Sequence, residues 1–112
     1  MASIDELWLV DFGEPFPGEP AFQRPALVLG PPDTFGQDMP FIFVCPLTTK
    51  YRGLSLHIEV EGDDTSGLSN LSYIQCELLR SVSRRRLVHQ IGAVDPSTSR
   101  RVTEVVKVLL NH

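Results

Sequence analysis

Two short segments place phosphate-binding groups at the ends of apolar, strand-like runs. The first, residues 23–29, has Arg24 at the entrance of its apolar run. The second, residues 44–50, ends in the polar residues Thr48, Thr49 and Lys50. A guanidinium is always charged and a hydroxyl donates hydrogen bonds, so both groups can hold phosphate oxygens. The arginine can also stabilise charge that builds up on phosphorus during a reaction.

Each of these residues also has an ordinary structural interpretation. Arg24 can form an ion pair with a loop acid such as Glu14 or Glu19. Threonines at strand ends are often turn or edge residues. Beside the cations Lys50 and Arg52, however, Thr48 and Thr49 become candidate donors to phosphate oxygens.

The other chemically versatile side chains favour structural interpretations. His57 and His89 titrate near neutrality, but each lies in a strand-like run where a solvated or edge position is expected. Cys45 and Cys76 lie in apolar runs and are expected to be buried, reduced thiols. No cluster has metal-ligand spacing, so neither a metal site nor a cofactor is expected. There is also no phosphate-binding glycine fingerprint and no nucleophile elbow.

The densest positive patch is formed by arginines, namely Arg80, Arg84, Arg85 and Arg86. Such a run is ordinarily a solvated turn. It can also be a docking surface for an acidic partner or for an RNA backbone.

Length and composition indicate one small globular domain, residues 1–112. The chain is 42% hydrophobic and 21% charged, and its net charge of −4 argues against a protein coated in positive charge for binding duplex DNA. Residues 1–6 lack a basic segment and an apolar core, so no signal peptide is expected. No apolar run approaches transmembrane length, and we expect a cytoplasmic protein with no membrane association.

Apolar runs and turn residues predict a mainly β protein. Strands are expected at residues 7–12, 25–29, 41–45, 54–61, 71–82 (one bent or two short strands) and 87–94. Residues 54–61 alternate, with His57 on the polar side. Asp95 and Pro96 predict a helix N-terminus, and the helix to about residue 110 carries an apolar stripe for docking on the sheet. Together these elements suggest a bent sheet of five to seven strands, closed into a small barrel and capped by the helix.

Seven elements in order resemble the MazF/PemK family of toxin endoribonucleases. The family's W-x-V-D-L-G strand reads Trp8–Gly13, its G-S-E element is matched loosely by Pro17–Glu19, and R-P-[AV]-[LV]-V-[LI] is matched closely by Arg24–Leu29. Further matches are Cys45–Thr49, His57–Val60, Glu77–Ser81 and Arg86–Gly92, and the family's closing helix aligns with Ser97–Leu110.

The resemblance implies an SH3-like, CcdB-like barrel with a terminal helix, acting as a homodimer. It implies sequence-specific, ribosome-independent cleavage of single-stranded RNA through 2′-hydroxyl attack, without a metal, and inhibition by a cognate antitoxin with a disordered acidic tail. By analogy Arg24 and Thr48 form the catalytic pair, and Glu19 supports them. The implied RNA-binding residues are Pro25, Thr49, Lys50, Arg52 and Glu77. The expected antitoxin-binding residues are Arg80, Arg84, Arg85 and Arg86.

One departure concerns RNA recognition. Leu78 stands where family members usually carry a glutamine near the RNA groove, which affects base recognition more than cleavage. Two alternatives stay open: a CcdB-like toxin that binds a topoisomerase, and a noncatalytic SH3-like interaction module. The first relies on a tryptophan-containing tip at the helix end, whereas the single tryptophan here is Trp8. The second does not need the pair Arg24 and Thr48.

Overall fold

The computed structural model describes residues 2–14, 17, 22–35 and 39–112. These residues form seven strands, three short 3-10 turns and one α-helix. The strands are β1 (Glu6–Asp11), β2 (Gln23–Gly30), β3 (Phe41–Thr48), β4 (His57–Val60), β5 (Ser72–Gln75), β6 (Arg80–Ser83) and β7 (Leu87–Ala93). The helix is α1 (Pro96–Leu109). The predicted mainly β fold with a C-terminal helix is therefore confirmed.

The strands form an antiparallel sheet in the order β4-β5-β3-β2-β1-β7. Strand β3 lies at its centre, with β2 along one edge. Its other edge is shared between two strands, since β6 pairs with residues 41–44 and β5 pairs with Leu47 and Thr48. The long buried run of β3, which the sequence predicts as a central strand, is paired in this way along most of its length.

Alternation along β2 and β3 divides the buried side chains between two cores on opposite faces of the sheet. We call the first the helix-side core, because Leu27, Cys45 and Leu47 pack there with Val102 of α1. The opposite core is formed by a second set of buried residues, among them Val10, Ala26, Val28, Ile42, Val44 and Val82. Residues 26–28 of β2 and 44–47 of β3 are thus buried on both faces, whereas Phe41 and Phe43 near the start of β3 are exposed.

The predicted closure into a barrel does not occur in the part of the chain that the structure describes. Strands β4 and β7 end the sheet without pairing with each other. Instead, the turn at residues 62–67 lies against β7, where the Ala93 amide donates to the Thr65 carbonyl at 3.0 Å. A Cβ atom on Gly92 would overlap the Ser66 carbonyl, so this turn packs tightly against β7.

Strand β4 is shorter than predicted, because residues 54–56 form no strand and Leu54 is exposed. Helix α1 begins as predicted: the Asp95 carboxylate accepts a hydrogen bond from the Ser97 amide at 2.8 Å, and Pro96 is the first helical residue. The predicted apolar stripe is only partly buried. Val102 lies in the helix-side core, whereas Leu109 and Leu110 are exposed.

Candidate active site

Arg24 and Thr48 lie at the ends of neighbouring strands. The pairing of β2 with β3 includes Val28 opposite Val44 and Ala26 opposite Pro46. Continuing this register by two residues places Arg24 opposite Thr48. The paired ladder ends just before them, and Pro25 and Pro46 supply no amide hydrogen for extending it. The extended register therefore sets a half-buried arginine and a strand-end threonine opposite each other, just beyond the last recorded pair of the two strands.

The hydroxyl of Thr48 keeps its donor capacity. Thr48 is 8% exposed, and its Oγ1 accepts a hydrogen bond from the Lys50 amide at 3.2 Å. A hydroxyl has one hydrogen to donate and two lone pairs. Because the Lys50 contact uses a lone pair, the Thr48 proton can still be donated to a ligand oxygen.

Pairing across the sheet extends this arrangement into a row of polar residues. Thr48 faces Tyr73 of β5, and Tyr73 faces Glu59 of β4. Paired residues of antiparallel strands point to the same face, so Arg24, Thr48, Tyr73 and Glu59 line one face of four consecutive strands. We call this set the polar row. It lies on the face opposite α1, beyond the end of the opposite core.

The predicted RNA-binding residues fall into two groups. Thr49, Lys50 and Arg52 are exposed on the segment that leaves β3, next to the polar row. Pro25 is half-buried within β2, opposite Leu9 of β1. Glu77 lies in the 3-10 turn after β5. Glu19, predicted to support catalysis, lies outside the described residues.

His57 was expected at a solvated or edge position; it lies on the edge strand β4, but its side chain is buried rather than solvated. Its side chain is 3% exposed, and its Nε2 lies 2.9 and 3.0 Å from the two carboxylate oxygens of Glu77. The alternation in β4 placed His57 on the polar face correctly, but Glu77 and Gln75 cover that face here. His89 is exposed on β7, as the sequence predicts.

The arginine patch is partly structural. The Arg84 Nε donates to the Met39 carbonyl at 2.6 Å, and the Arg86 guanidinium donates to the Asp11 carbonyl at 3.2 Å. Arg80 lies over the Phe12 ring, 5.5 Å from its centroid. Arg85 is exposed, and its guanidinium makes no hydrogen bond to the described part of the chain. The sequence predicts a positive surface but not that three of its members hold neighbouring segments.

The two cysteines are buried in the helix-side core, as predicted. Burial raises the pKa of the Cys45 thiol, and the nearby Cys76 and Glu77 raise it further. Burial and the Glu77 charge raise the pKa of Cys76 to about 11. Because the thiolate is the nucleophilic form, neither residue is poised for covalent chemistry at neutral pH.

Sequence reasoning did not identify two aromatic residues at the site, namely Tyr73, a member of the polar row, and Tyr51, which lies against it. Tyr73 is the neighbour of Thr48 across the sheet, and the ring centroids of Tyr51 and Tyr73 are 5.6 Å apart. The register of β3 with β5 cannot be derived from residue types, so Tyr73 carries no signal in the sequence. The interleaving of Tyr51 between Lys50 and Arg52 is the available signal, since aromatic and basic residues together are typical of nucleic-acid surfaces.

The described residues contain no group of three or more His, Cys, Asp or Glu side chains arranged to hold a metal ion. Within the same residues, no helix has the length and apolar character that a membrane span requires.

Solved structures share this architecture over nearly the whole chain. MazF from Deinococcus radiodurans superposes with a TM-score of 0.85 and 21% identity, covering 99% of this chain and 97% of that one. The toxin MazF-mt6 from Mycobacterium tuberculosis has a TM-score of 0.77 and 21% identity, covering 95% and 96%. An endoribonuclease in complex with its cognate antitoxin, from a mycobacterial species, has a TM-score of 0.76 and 15% identity, covering 99% and 96%.

A small antiparallel sheet with a C-terminal helix is therefore the fold that this chain shares with MazF toxins. Residues 5–110 match the family model described as PemK-like, MazF-like toxin of type II toxin–antitoxin system. The chain belongs to this family, which confirms the resemblance found in its sequence.

Proposed function

We propose that this toxin is an endoribonuclease that cuts single-stranded RNA at specific sequences, without the ribosome. The observation that carries the proposal is the facing placement of Arg24 and Thr48 at the ends of β2 and β3, in a chain of this family. Arginine and threonine suit phosphate, and the buried strand segments that follow Arg24 and precede Thr48 support both residues at defined positions, as transition-state stabilisation requires.

The proposed reaction uses the substrate's own nucleophile. The RNA 2′-hydroxyl loses its proton to a base and its oxygen attacks the adjacent phosphorus. The bond from phosphorus to the 5′-oxygen then breaks, and the leaving oxygen takes up a proton. The products are a 2′,3′-cyclic phosphate and a 5′-hydroxyl.

The two residues take complementary parts in this scheme. The Arg24 guanidinium stabilises the charged phosphorane and helps the 5′-oxygen to leave. Thr48 donates its hydroxyl proton to a non-bridging oxygen, consistent with its acceptor role toward Lys50. The cations Lys50 and Arg52 hold flanking phosphates, with Thr49, Pro25 and Glu77 lining the RNA path. The supporting role of Glu19 stays a prediction.

The testing experiment is cleavage of mixed-sequence single-stranded RNA by the purified protein in EDTA, analysed on a gel. We expect cleavage to persist, because the arginine supplies the positive charge at phosphorus. Once the cleavage sequence is known, a 2′-deoxy nucleotide at the cut site should block the reaction by removing the nucleophile. Cleavage of the deoxy substrate, or complete loss of activity in EDTA, would reject this mechanism.

The same assay tests the alternatives. A topoisomerase-binding toxin or a noncatalytic interaction module would leave the RNA intact. No observation favours the topoisomerase alternative, since Trp8 lies in β1, where its Nε1 donates to Glu6 at 3.0 Å.

We also propose that a cognate antitoxin with a disordered acidic tail binds this toxin in the cytoplasm. MazF from Deinococcus radiodurans has been crystallised with MazE, and the mycobacterial endoribonuclease with its antitoxin. The expected receiving surface is formed by Arg80, Arg84, Arg85 and Arg86. Of these, Arg85 is best placed to meet an acidic partner because it is exposed and holds no neighbouring segment.

A homodimer is the third part of the proposal. Apolar side chains are exposed at the end of α1, with Val108 74% exposed and Leu109 and Leu110 beside it. A second copy can cover such a patch and add buried area to a small chain. Light scattering should give twice the monomer mass at micromolar concentration, and Val108→Glu should lower it. The matched control is Val88→Glu, at an exposed valine of β7. A monomeric wild type would contradict the proposal.

A further inference from the structure

Two tyrosines form an aromatic pair at the edge of the polar row. Their ring centroids are 5.6 Å apart, with the ring planes inclined at 53°. Tyr73 is held in β5 directly opposite Thr48. Tyr51 comes three residues after Thr48 and is 76% exposed. The pair therefore lies one strand spacing, about 5 Å, from the threonine proposed to hold the scissile phosphate.

The chain after β3 holds the Tyr51 ring in this position. Gly53 has a φ of +66°, a left-handed conformation that turns the chain sharply. A Cβ atom at Gly53 would lie 3.6 Å from the Tyr51 hydroxyl, so the side chain folds back over its own loop. The Tyr51 ring thus lies against Tyr73 with its hydroxyl near Gly53, while most of its surface stays open to solvent.

The positive charges next to the tyrosine pair favour a nucleic acid as the ligand. Lys50 and Arg52 flank Tyr51 in the sequence, and all three residues are exposed. Single exposed aromatic residues are common on protein surfaces. A supported ring between two cations, beside a candidate phosphate site, combines the backbone contact and the stacking surface that single-stranded nucleic acids use.

We propose that Tyr51, supported by Tyr73, stacks one unpaired base of the RNA substrate next to the scissile phosphate. This inference rests on the proposed ribonuclease function and adds a base-binding subsite to it. Stacking on the open surface of Tyr51 would hold the nucleotide beside the cut site in a fixed orientation, with Lys50 and Arg52 on its phosphates. Tyr51 would thus contribute to substrate binding and Tyr73 would act as a positioning residue.

The test separates stacking from the chemical step. The probe is a short single-stranded RNA containing the mapped cleavage sequence, with a 2′-deoxy nucleotide at the cut site and 2-aminopurine at each flanking position in turn. Wild-type protein should quench the fluorescence at one of these positions. Tyr51→Leu should remove the quenching and weaken binding roughly 5- to 150-fold, the range that one base–aromatic stack represents.

Further variants show whether the aromatic ring or the hydroxyl of the tyrosines causes the loss of RNA affinity. Tyr51→Phe and Tyr73→Phe keep the rings and should bind within about twofold of wild type. Phe35→Leu, at an exposed phenylalanine in another segment, is the matched control and should change nothing. With cleavable RNA, Tyr51→Leu should raise KM with little change in kcat, whereas Thr48→Ala should lower kcat.

The outcomes distinguish this inference from the proposed function. If wild-type protein cleaves RNA and Tyr51→Leu leaves KM and quenching unchanged, the base subsite is rejected and the ribonuclease proposal stands. If Tyr51→Phe loses as much affinity as Tyr51→Leu, the hydroxyl rather than the ring makes the contact, and stacking is rejected. If wild-type protein neither binds nor cleaves RNA, both proposals fail.

Discussion

His57 and Glu77 form a hydrogen-bonded pair that ties the start of β4 to the turn after β5. Nε2 of the imidazole lies 2.9 and 3.0 Å from the two carboxylate oxygens. An ionised carboxylate only accepts hydrogen bonds, so Nε2 carries the proton. Nδ1 is buried and has no partner among the residues that the structure describes. The pair thus holds two segments together beside the polar row.

His57→Ala is expected to lower stability rather than chemistry. Removing the imidazole leaves a gap and takes a partner from the carboxylate, which should cost about 1–2 kcal/mol in the free energy of unfolding. Urea unfolding followed by Trp8 fluorescence measures this, and His89→Ala is the matched control at an exposed histidine. The cleavage rate of the folded His57→Ala protein should stay within a few-fold of wild type. A loss of ~100-fold would make His57 part of the catalytic machinery.

Arg24→Ala and Thr48→Ala should each lower the cleavage rate at least ~100-fold, the scale of removing one transition-state donor. Thr48→Ser keeps the hydroxyl and should retain most of the activity. Arg101→Ala removes an exposed arginine of α1 and serves as the charge-matched control. Single-turnover rates on a defined RNA provide the measurement. Full activity in Arg24→Ala would show that the site has been assigned wrongly even in an active ribonuclease.

Substitutions in the arginine patch should have two different effects: some should lower the stability of the fold and others should lower the affinity for the antitoxin. Arg84→Ser and Arg86→Ser each remove a hydrogen bond to a backbone carbonyl and should cost about 1 kcal/mol in stability. Arg85→Ser should leave stability unchanged and lower antitoxin affinity by up to about 5-fold, chiefly through the association rate. Surface plasmon resonance at two salt concentrations measures both rates. Unchanged affinity when all three are serine would reject this docking surface.

The buried thiols predict a loss of stability at high pH. Unfolded cysteine titrates near 9.0, whereas in the folded protein burial raises the pKa of Cys76 to about 11. A raised pKa stabilises the fold below about pH 9, and this contribution declines as the pH rises toward 11. Cys76→Ala should therefore flatten the dependence of the melting temperature on pH above 9.

Cysteine-specific reagents at pH 8 should label the native protein slowly and the unfolded protein rapidly. Fast labelling of the native protein would contradict the burial of both thiols.

The turn at residues 62–67 packs so closely on β7 that its glycine contacts should tolerate no added side chain. A Cβ atom at Gly67 would overlap the Ile91 carbonyl, and φ there is +71°. Gly67→Ala and Gly92→Ala should each lower the free energy of unfolding by about 1–3 kcal/mol. Gly30→Ala is the control, because its Cβ would make an ordinary 3.5 Å contact with Phe43. Equal stability of all three variants would mean that the turn does not pack tightly on β7.

Local signals predicted the elements better than the contacts between them. Asp95 and Pro96 predict the start of the helix, because helix capping depends on residues adjacent in the sequence. Likewise, the apolar run of β3 indicates a central strand whatever its partners are. The packing of the turn at residues 62–67 on β7 was not predictable in this way, since Gly67 and Gly92 lie against segments distant in the sequence.

The residues of the candidate site also differ in whether local sequence could predict them. Arg24 and Thr48 are recognisable from residue type and from their positions at strand ends. Tyr73 is not recognisable in this way. Its place beside Thr48 depends on the register between β3 and β5, which are far apart in the chain. The burial of His57 was missed for a similar reason, since Glu77 reaches it from another segment.

The central position of β3 also determines which parts of the site can open. Its amides are shielded by strands on both edges, so we expect them to be among the slowest to exchange their hydrogens for deuterium. Residues 49–56 belong to no strand or helix and should exchange quickly. We therefore expect the backbone at Thr48 to exchange only through large unfolding events, whereas the backbone at Tyr51 should exchange through local opening. If both proposals hold, we expect substitutions in residues 49–56 to alter which RNA sequence is bound, with little effect on the chemistry proposed for Thr48.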